Sequence, residues 1–272
     1  MKLKIGEHFF SWNRPLVMGI LNLTPDSFYD GGSHNNTDDV LRHCEKMLTN
    51  GADIIDIGAF SSRPGSEIIS VDEENQRLLP YLTEIRKRFP EIIISIDTFR
   101  KDVAKNALDD GADIINDISG GIFDEEMLPF IGENHIPYIM MHCGGNIESL
   151  HTNLIEENPC EIVKSFFKEQ INSLSHFGEQ QIILDPGIGF NKSMKSNFEL
   201  LNNIDNYRID NLPVLIGISR KSMIHKTLKI TSKEALNGTT VLNTVALMKG
   251  ADILRVHDVK EAVEAVKLIE EL

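Results

Sequence analysis

One tetrapeptide constrains this chain more than any other feature. Gly-Ala-Asp-Ile occurs at Gly51–Ile54, again at Gly111–Ile114 and again at Gly250–Ile253. Each copy follows a stretch with helical periodicity and opens a short apolar run. Over Thr37–Asn50, Val40, Leu41, Cys44, Met47 and Leu48 fall on one helical face, and Thr37 is placed to cap the helix. Gly51 then stands where a helix-ending glycine belongs. Lys101–Asp110 before Gly111 and Lys233–Lys249 before Gly250 follow the same plan. Helix, glycine stop, tight turn and buried strand make up half of a repeating βα unit.

Further apolar runs of strand length complete the series: Leu16–Leu21, Asp53–Ile57, Ile92–Ile96, Asp113–Asn116, Ile136–His142, Gln181–Leu184, Val214–Ile218 and Asp252–Val256. They are rich in Ile and Val and nearly continuous, as expected of parallel strands buried on both faces. Strands alternating with helices over a 272-residue chain predict an α/β fold, a single (β/α)8 TIM barrel occupying 1–272 as one domain. A doubly wound open sheet is the competing architecture, but no G-x-G-x-x-G follows the first strand. Long loops are expected after the first and second barrel strands, through LTPDSFYDGGSHNN and AFSSRPGSE. Loops of this length are characteristically functional lids or simply disordered, and as lids these are expected to order on ligand binding.

Charge narrows the function classes. With 27 Lys and Arg against 41 Asp and Glu, the net charge is −14, which disfavours nucleic acid and anionic membrane as partners. Three cysteines, Cys44, Cys143 and Cys160, form neither a disulfide framework nor a zinc pattern. The first residues, MKLKIGEHFFSW, lack a continuous apolar core, and no run approaches the ~18 apolar residues of a membrane span. A soluble cytoplasmic protein is expected.

In a barrel of this type the C-terminal strand ends form the site and the N-terminal ends serve stability. Asp53, Asp113 and Asp252 open strands and are expected to be structural. The C-terminal strand ends carry Asn22, Asp56, Asp97, Asn116, His142, Asp185, Ser219-Arg220-Lys221 and Arg255 with His257. Asp97, Asn116 and Asp185 offer groups that pair with the donor edge of a flat, nitrogen-rich heterocycle. Asn22, Arg63, Arg255 and His257 suit a phosphate or diphosphate. Arg63, Arg220, Lys221 and Arg255 are expected to gather the chain's cations around one mouth.

These residues resemble the dihydropteroate synthase family. Met18-Gly-Ile-Leu-Asn-Leu-Thr-Pro-Asp-Ser-Phe28, Ser62-Arg-Pro-Gly65, Ile96-Asp-Thr98, Ile115-Asn-Asp-Ile-Ser-Gly-Gly121, Asp185-Pro-Gly-Ile-Gly-Phe190, Gly217-Ile-Ser-Arg-Lys221 and Arg255-Val-His257 stand in the family's order. The resemblance implies a transferase that condenses 6-hydroxymethyl-7,8-dihydropterin diphosphate with 4-aminobenzoate, releasing diphosphate before the amine attacks, with Mg²⁺ as cofactor. It implies a homodimer and the target site of sulfonamides.

Carried over by position, the resemblance implies that Asp97, Asn116, Met140, Asp185 and Lys221 hold the pterin. Asn22, Arg63, Arg255 and His257 would hold diphosphate, with Asn22 nearest the metal. Ser62, Pro64, Phe190, Ser219 and Lys221 would line the aminobenzoate site, and Asp97, Lys221 and Asn22 would be catalytic. The chain departs from the family at Gly58-Ala-Phe-Ser-Ser-Arg-Pro64, where Phe60 adds bulk and Ser62 replaces threonine. It departs again at His142-Cys-Gly-Gly145 and at Asn191. A pterin-binding methyltransferase domain needs neither Ser62-Arg-Pro64 nor Gly217-Ile-Ser-Arg-Lys221, and a non-catalytic paralogue could dispense with Arg255 and His257.

Overall fold

The computed structural model describes residues 2–5, 8–23, 35–60, 68–147, 150, 152 and 154–272. Its strands are β1 (Lys2–Ile5), β2 (His8–Ser11), β3 (Leu16–Asn22), β4 (Ile54–Gly58), β5 (Ile93–Asp97), β6 (Ile114–Asp117), β7 (Tyr138–Met141), β8 (Ile182–Asp185), β9 (Leu215–Ile216) and β10 (Ile253–Val256). The sheet order β8-β7-β6-β5-β4-β3-β10-β9 is parallel throughout. A bridge between Leu184 and Val214, with Leu184 N donating to Pro213 O at 2.8 Å, joins β8 to β9 and brings the ring to closure. The eight expected strands are all present within a residue or two, apart from the shortened β9.

The helices are α1 (Asn35–Thr49), α2 (Val71–Arg88), α3 (Lys101–Asp109), α4 (Met127–Asn134), α5 (Pro159–Leu174), α6 (Met194–Asn202), α7 (Ile204–Tyr207), α8 (Ser222–Leu228), α9 (Leu236–Met248) and α10 (Val259–Ile269). Helix α1 begins at Asn35, which puts Thr37 inside its first turn rather than at its cap. The expected Lys233–Lys249 helix divides into a 3-10 turn at Ser232–Glu234 and α9.

Side-chain alternation sorts the core into two layers. Leu16, Met18, Ile54, Ile93, Ile114, Ile139, Ile183, Leu215 and Ile253 pack together inside the barrel. Their neighbours Val17, Ile55, Ile94, Ile115, Tyr138, Leu184 and Leu254 pack outward against the helices. The antiparallel hairpin β1–β2 closes the lower end, adding Leu3 and Trp12 to the inner cluster. Lys4 N donates to Gln181 Oε1, and Gln181 Nε2 donates to Lys4 O at 3.1 Å.

The repeated tetrapeptide has one structural meaning at all three sites. Gly51, Gly111 and Gly250 have φ of 97°, 100° and 93°, the left-handed backbone that ends a helix at low cost only with glycine. The aspartate two residues on accepts from the backbone of the preceding strand: Asp53 from Val17 N at 2.9 Å, Asp113 from Ile94 N at 2.8 Å and Asp252 from Val214 N at 2.8 Å. Each also accepts from an arginine: Arg14 at 2.6 Å, Arg86 at 2.7 Å and Arg208 at 2.8 Å. These carboxylates lace the lower rim together, as expected from their place at strand starts.

Candidate active site

The inner face changes character one layer above the apolar plug. The inward positions that follow Ile54, Ile93, Ile114, Ile183 and Ile253 are Asp56, Ser95 with Asp97, Asn116, Asp185 and Arg255. Asp56 is fully buried and is the hub of the layer. It accepts from Ser95 Oγ at 2.7 Å, Asn116 Nδ2 at 3.1 Å and Arg255 Nε at 2.6 Å. Arg255 Nη2 donates to Asp97 Oδ2 at 2.6 Å, so one guanidinium from β10 bridges carboxylates on β4 and β5. Asp56 stands among the polar strand ends expected from the sequence to form the site, but the sequence assigned it no role there. Its signal was a lone carboxylate inside Ile54-Ile55-Asp56-Ile57.

Burial dominates the electrostatics of this layer. It pushes Asp97 up to about 7, against the pull of Arg255 and with the help of Asp56. It also raises Asp185, against Lys221. Burial opposes the charge on Arg255, but Asp56 and Asp97 hold its guanidinium firmly protonated. Lys221 is lowered to about 8, by burial first and by Arg255, while Asp185 and Asp97 oppose the shift. Its Nζ donates to Ile188 O and lies 4.7 Å from the centre of the Phe190 ring. Ser219 and His257 meet at the exits of β9 and β10, with Oγ and Nδ1 3.0 Å apart. Asn22 ends β3 on the same inward phase as Met18, in register with Gly58.

The structure therefore brings together Asp97, Asn116, Asp185, Lys221, Phe190, Ser219, Arg255, His257 and Asn22 at the C-terminal ends of the strands. Met140 is a correction. It packs outward with the helix-facing core, and Met141 is its neighbour on the mouth side, beside Phe99, Ile118 and Cys143. Adjacent strand residues point to opposite faces, so a shift of one position decides the matter. Arg220 is another correction. It forms a paired contact with Asp258, Nε and Nη2 each at 2.8 Å, and donates to the carbonyls of Ser232 and Lys233. It ties the start of α8 to the start of α10 instead of adding charge to an anion site. Ser62, Arg63 and Pro64, and most of both long loops, lie outside the described residues.

A lateral apolar wall completes the mouth. Phe99, Ile118, Met141, Cys143 and Leu150 are buried together, and Phe60, Phe123, Ile147 and Phe190 pack against them. Phe99 sits edge-on to both Phe60 and Phe123, with ring centroids 5.6 Å apart in each pair. The arrangement can hold a flat heterocycle by its polar edge against a dry wall, with cations at one side for an anionic substituent.

The family described as pterin binding enzyme matches residues 18–257. Dihydropteroate synthase of Escherichia coli K12 is 41% identical over 99% of this chain and 96% of its own length. That of Clostridium beijerinckii is 42% identical over 98% and 97%. Among solved structures, Yersinia pestis dihydropteroate synthase with a sulfonamide drug complex superposes with a TM-score of 0.91 at 36% identity, covering 100% of this chain and 98% of that one. Burkholderia cenocepacia dihydropteroate synthase complexed with 7,8-dihydropteroate gives 0.88 at 32%, covering 99% and 95%. With a barrel mouth of this composition and relatives matched end to end, the chain belongs to the dihydropteroate synthase family of pterin-binding enzymes.

Proposed function

We propose that the mouth binds a dihydropterin diphosphate and 4-aminobenzoate and joins them, releasing diphosphate. The observation that carries this reading is the buried polar layer of Asp56, Asp97, Asn116, Asp185 and Arg255 set between an apolar plug and an apolar wall. Asp97, Asn116, Asp185 and Lys221 would hold the pterin, with Met141 beside it in place of Met140. Asn22, Arg255 and His257, with Arg63, would take the diphosphate. Two nitrogens of Arg255 serve Asp56 and Asp97, and the third is the one a diphosphate oxygen would take. Phe190, Ser219 and Lys221, with Ser62 and Pro64, would line the aminobenzoate side.

The chemistry follows from the two reactants. An arylamine is a weak nucleophile, whereas the pterin ring can delocalise a methylene cation. The carbon–oxygen bond therefore breaks first, its electron pair leaves with diphosphate, and the amine nitrogen then forms the new bond and gives up a proton to solvent. An ionised Asp97 stabilises the cation, and cationic donors stabilise the leaving group. Mg²⁺ would add neutralising charge to the diphosphate when bound. Asn22 would hold it through its side-chain oxygen, with phosphate and water supplying most of the remaining ligands. Among the described residues no cluster of three or more His, Cys, Asp or Glu could hold a metal.

The reading extends to one domain over 1–272 acting as a cytoplasmic homodimer. Three free, buried cysteines favour a reducing compartment, and no described helix is long and apolar enough to cross a membrane. Helix α9 buries Ala246 and Leu247 yet leaves Val241 53% and Met248 67% exposed, an apolar outer face suited to a second copy. Sedimentation equilibrium measures that assembly directly. The deciding experiment supplies purified protein with the pterin diphosphate, 4-aminobenzoate and Mg²⁺ and assays dihydropteroate and diphosphate. Pterin binding without product at high protein concentration would make this a binding protein instead.

A further inference from the structure

Two residues beyond Phe190 stands a lysine that the condensation does not use. Lys192 is only 4% exposed. Its Nζ lies 3.0 Å from His142 Nδ1, 3.3 Å from the His142 carbonyl and 3.0 Å from the Phe190 carbonyl. Three acceptors around one nitrogen match the three N–H bonds of an ammonium. The ring of His142 can be one of them because burial lowers its pKa to about 3 and leaves it neutral. Burial also lowers Lys192, to about 7, while Asp185 and Cys143 pull it back toward the charged form and Lys221 opposes them. With every N–H matched by an acceptor, the charged form is the one this geometry suits.

The clamp joins two strand exits. His142 follows β7, and Phe190 belongs to the loop after β8. The same loop presses on the His142 carbonyl through Gly187, with φ of 66°, where a Cβ would come within 1.9 Å of that oxygen. Gly187 N in turn donates to Asp185 Oδ1 at 2.7 Å. The ring of Phe190 faces Lys221 Nζ. We propose that Lys192 is a positioning residue of the reaction: its ammonium fixes the two exits relative to each other and so sets the Phe190 ring beside Lys221 on the aminobenzoate side. This rests on the condensation assigned to the mouth.

The test compares wild type, Lys192→Met, Phe190→Ala and the double variant, measuring kcat, KM for each substrate and Kd for a pterin lacking diphosphate. Lys192→Met should raise the aminobenzoate KM about tenfold, with the pterin Kd held within about twofold. In the double variant the loss should not exceed that of Phe190→Ala alone, because both changes act on one ring. An unchanged aminobenzoate KM, or losses that simply add, would overturn the proposal. If Lys192→Met does not fold, His142→Phe decides. It removes one acceptor, should raise the same KM several-fold, and refutes the proposal if it leaves that KM unchanged. Wild-type protein that forms no dihydropteroate would sink the assigned reaction itself, an outcome separate from the others.

Discussion

Asp97 and Lys221 both lose water on folding, and burial moves them toward each other on the pH scale. Asp97 rises to about 7 and Lys221 falls to about 8. The proposed chemistry needs the carboxylate ionised and the lysine protonated, and both conditions hold together only in a narrow range. Turnover per unit pterin diphosphate should fall as pH drops through about 7, where Asp97 gains a proton. It should fall again as pH rises through about 8, where Lys221 loses one. Lys221→Arg should move the alkaline limb out of range, and Asp97→Asn should erase the acid limb from whatever activity survives. A flat profile in wild type across both values would refute the pairing. Arg255 gives a second residue-scale test. Arg255→Met strands the fully buried Asp56 and the half-buried Asp97 without a counter-charge, which should cost about 3–5 kcal/mol in urea denaturation.

At the scale of elements, legibility in the sequence depended on whether a strand carries a polar residue to set its phase. Ser95 and Asp97 fix the inward face of β5, and Asp185 and Arg255 do so for β8 and β10. Tyr138–Met141 of β7 carries no charged or amide side chain, so nothing in the run itself says which methionine faces the mouth. The parallel register, Met141 opposite Asp185 and Met140 opposite Leu184, supplies the missing phase. The contact of Lys192 with His142 was opaque for another reason: it joins residues 50 apart through loops without periodicity.

The repeated Gly-Ala-Asp-Ile was the most legible element because its glycine and aspartate do the same work each time. Asp252→Ala removes the acceptor of Val214 N and the partner of Arg208. The loss should be about 1–3 kcal/mol. Asp252 lies three residues before Arg255, about 10 Å along an extended strand. The kcat of folded protein should therefore stay at the wild-type value, and a large drop would show that the lower rim is coupled to the mouth.

For the whole molecule, the separation of a stabilising lower end from a reactive upper end is the property that most needs testing. The −14 charge is spread over a surface of many carboxylates, while Lys192, Lys221 and Arg255 are buried or half-buried near the mouth. The lower end holds the hairpin β1–β2, which short, weakly alternating segments gave little sign of in the sequence. Leu3 is 3% exposed there, packed in the inner cluster with Trp12, the chain's single tryptophan. Trp12 stacks on Phe10 with centroids 5.6 Å apart. Leu3→Ala opens a cavity in the plug and should cost about 2–5 kcal/mol. Because only one indole is present, its emission reports that end alone and should shift to the red as water reaches the ring. Below the lowered melting temperature, kcat and both KM values should match wild type, since the inward strand residues of the plug, Leu16 to Ile253, lie between Leu3 and the polar layer. A change in aminobenzoate KM without unfolding would mean that packing at the plug is transmitted up the strands, and that the two ends of this barrel do not work independently.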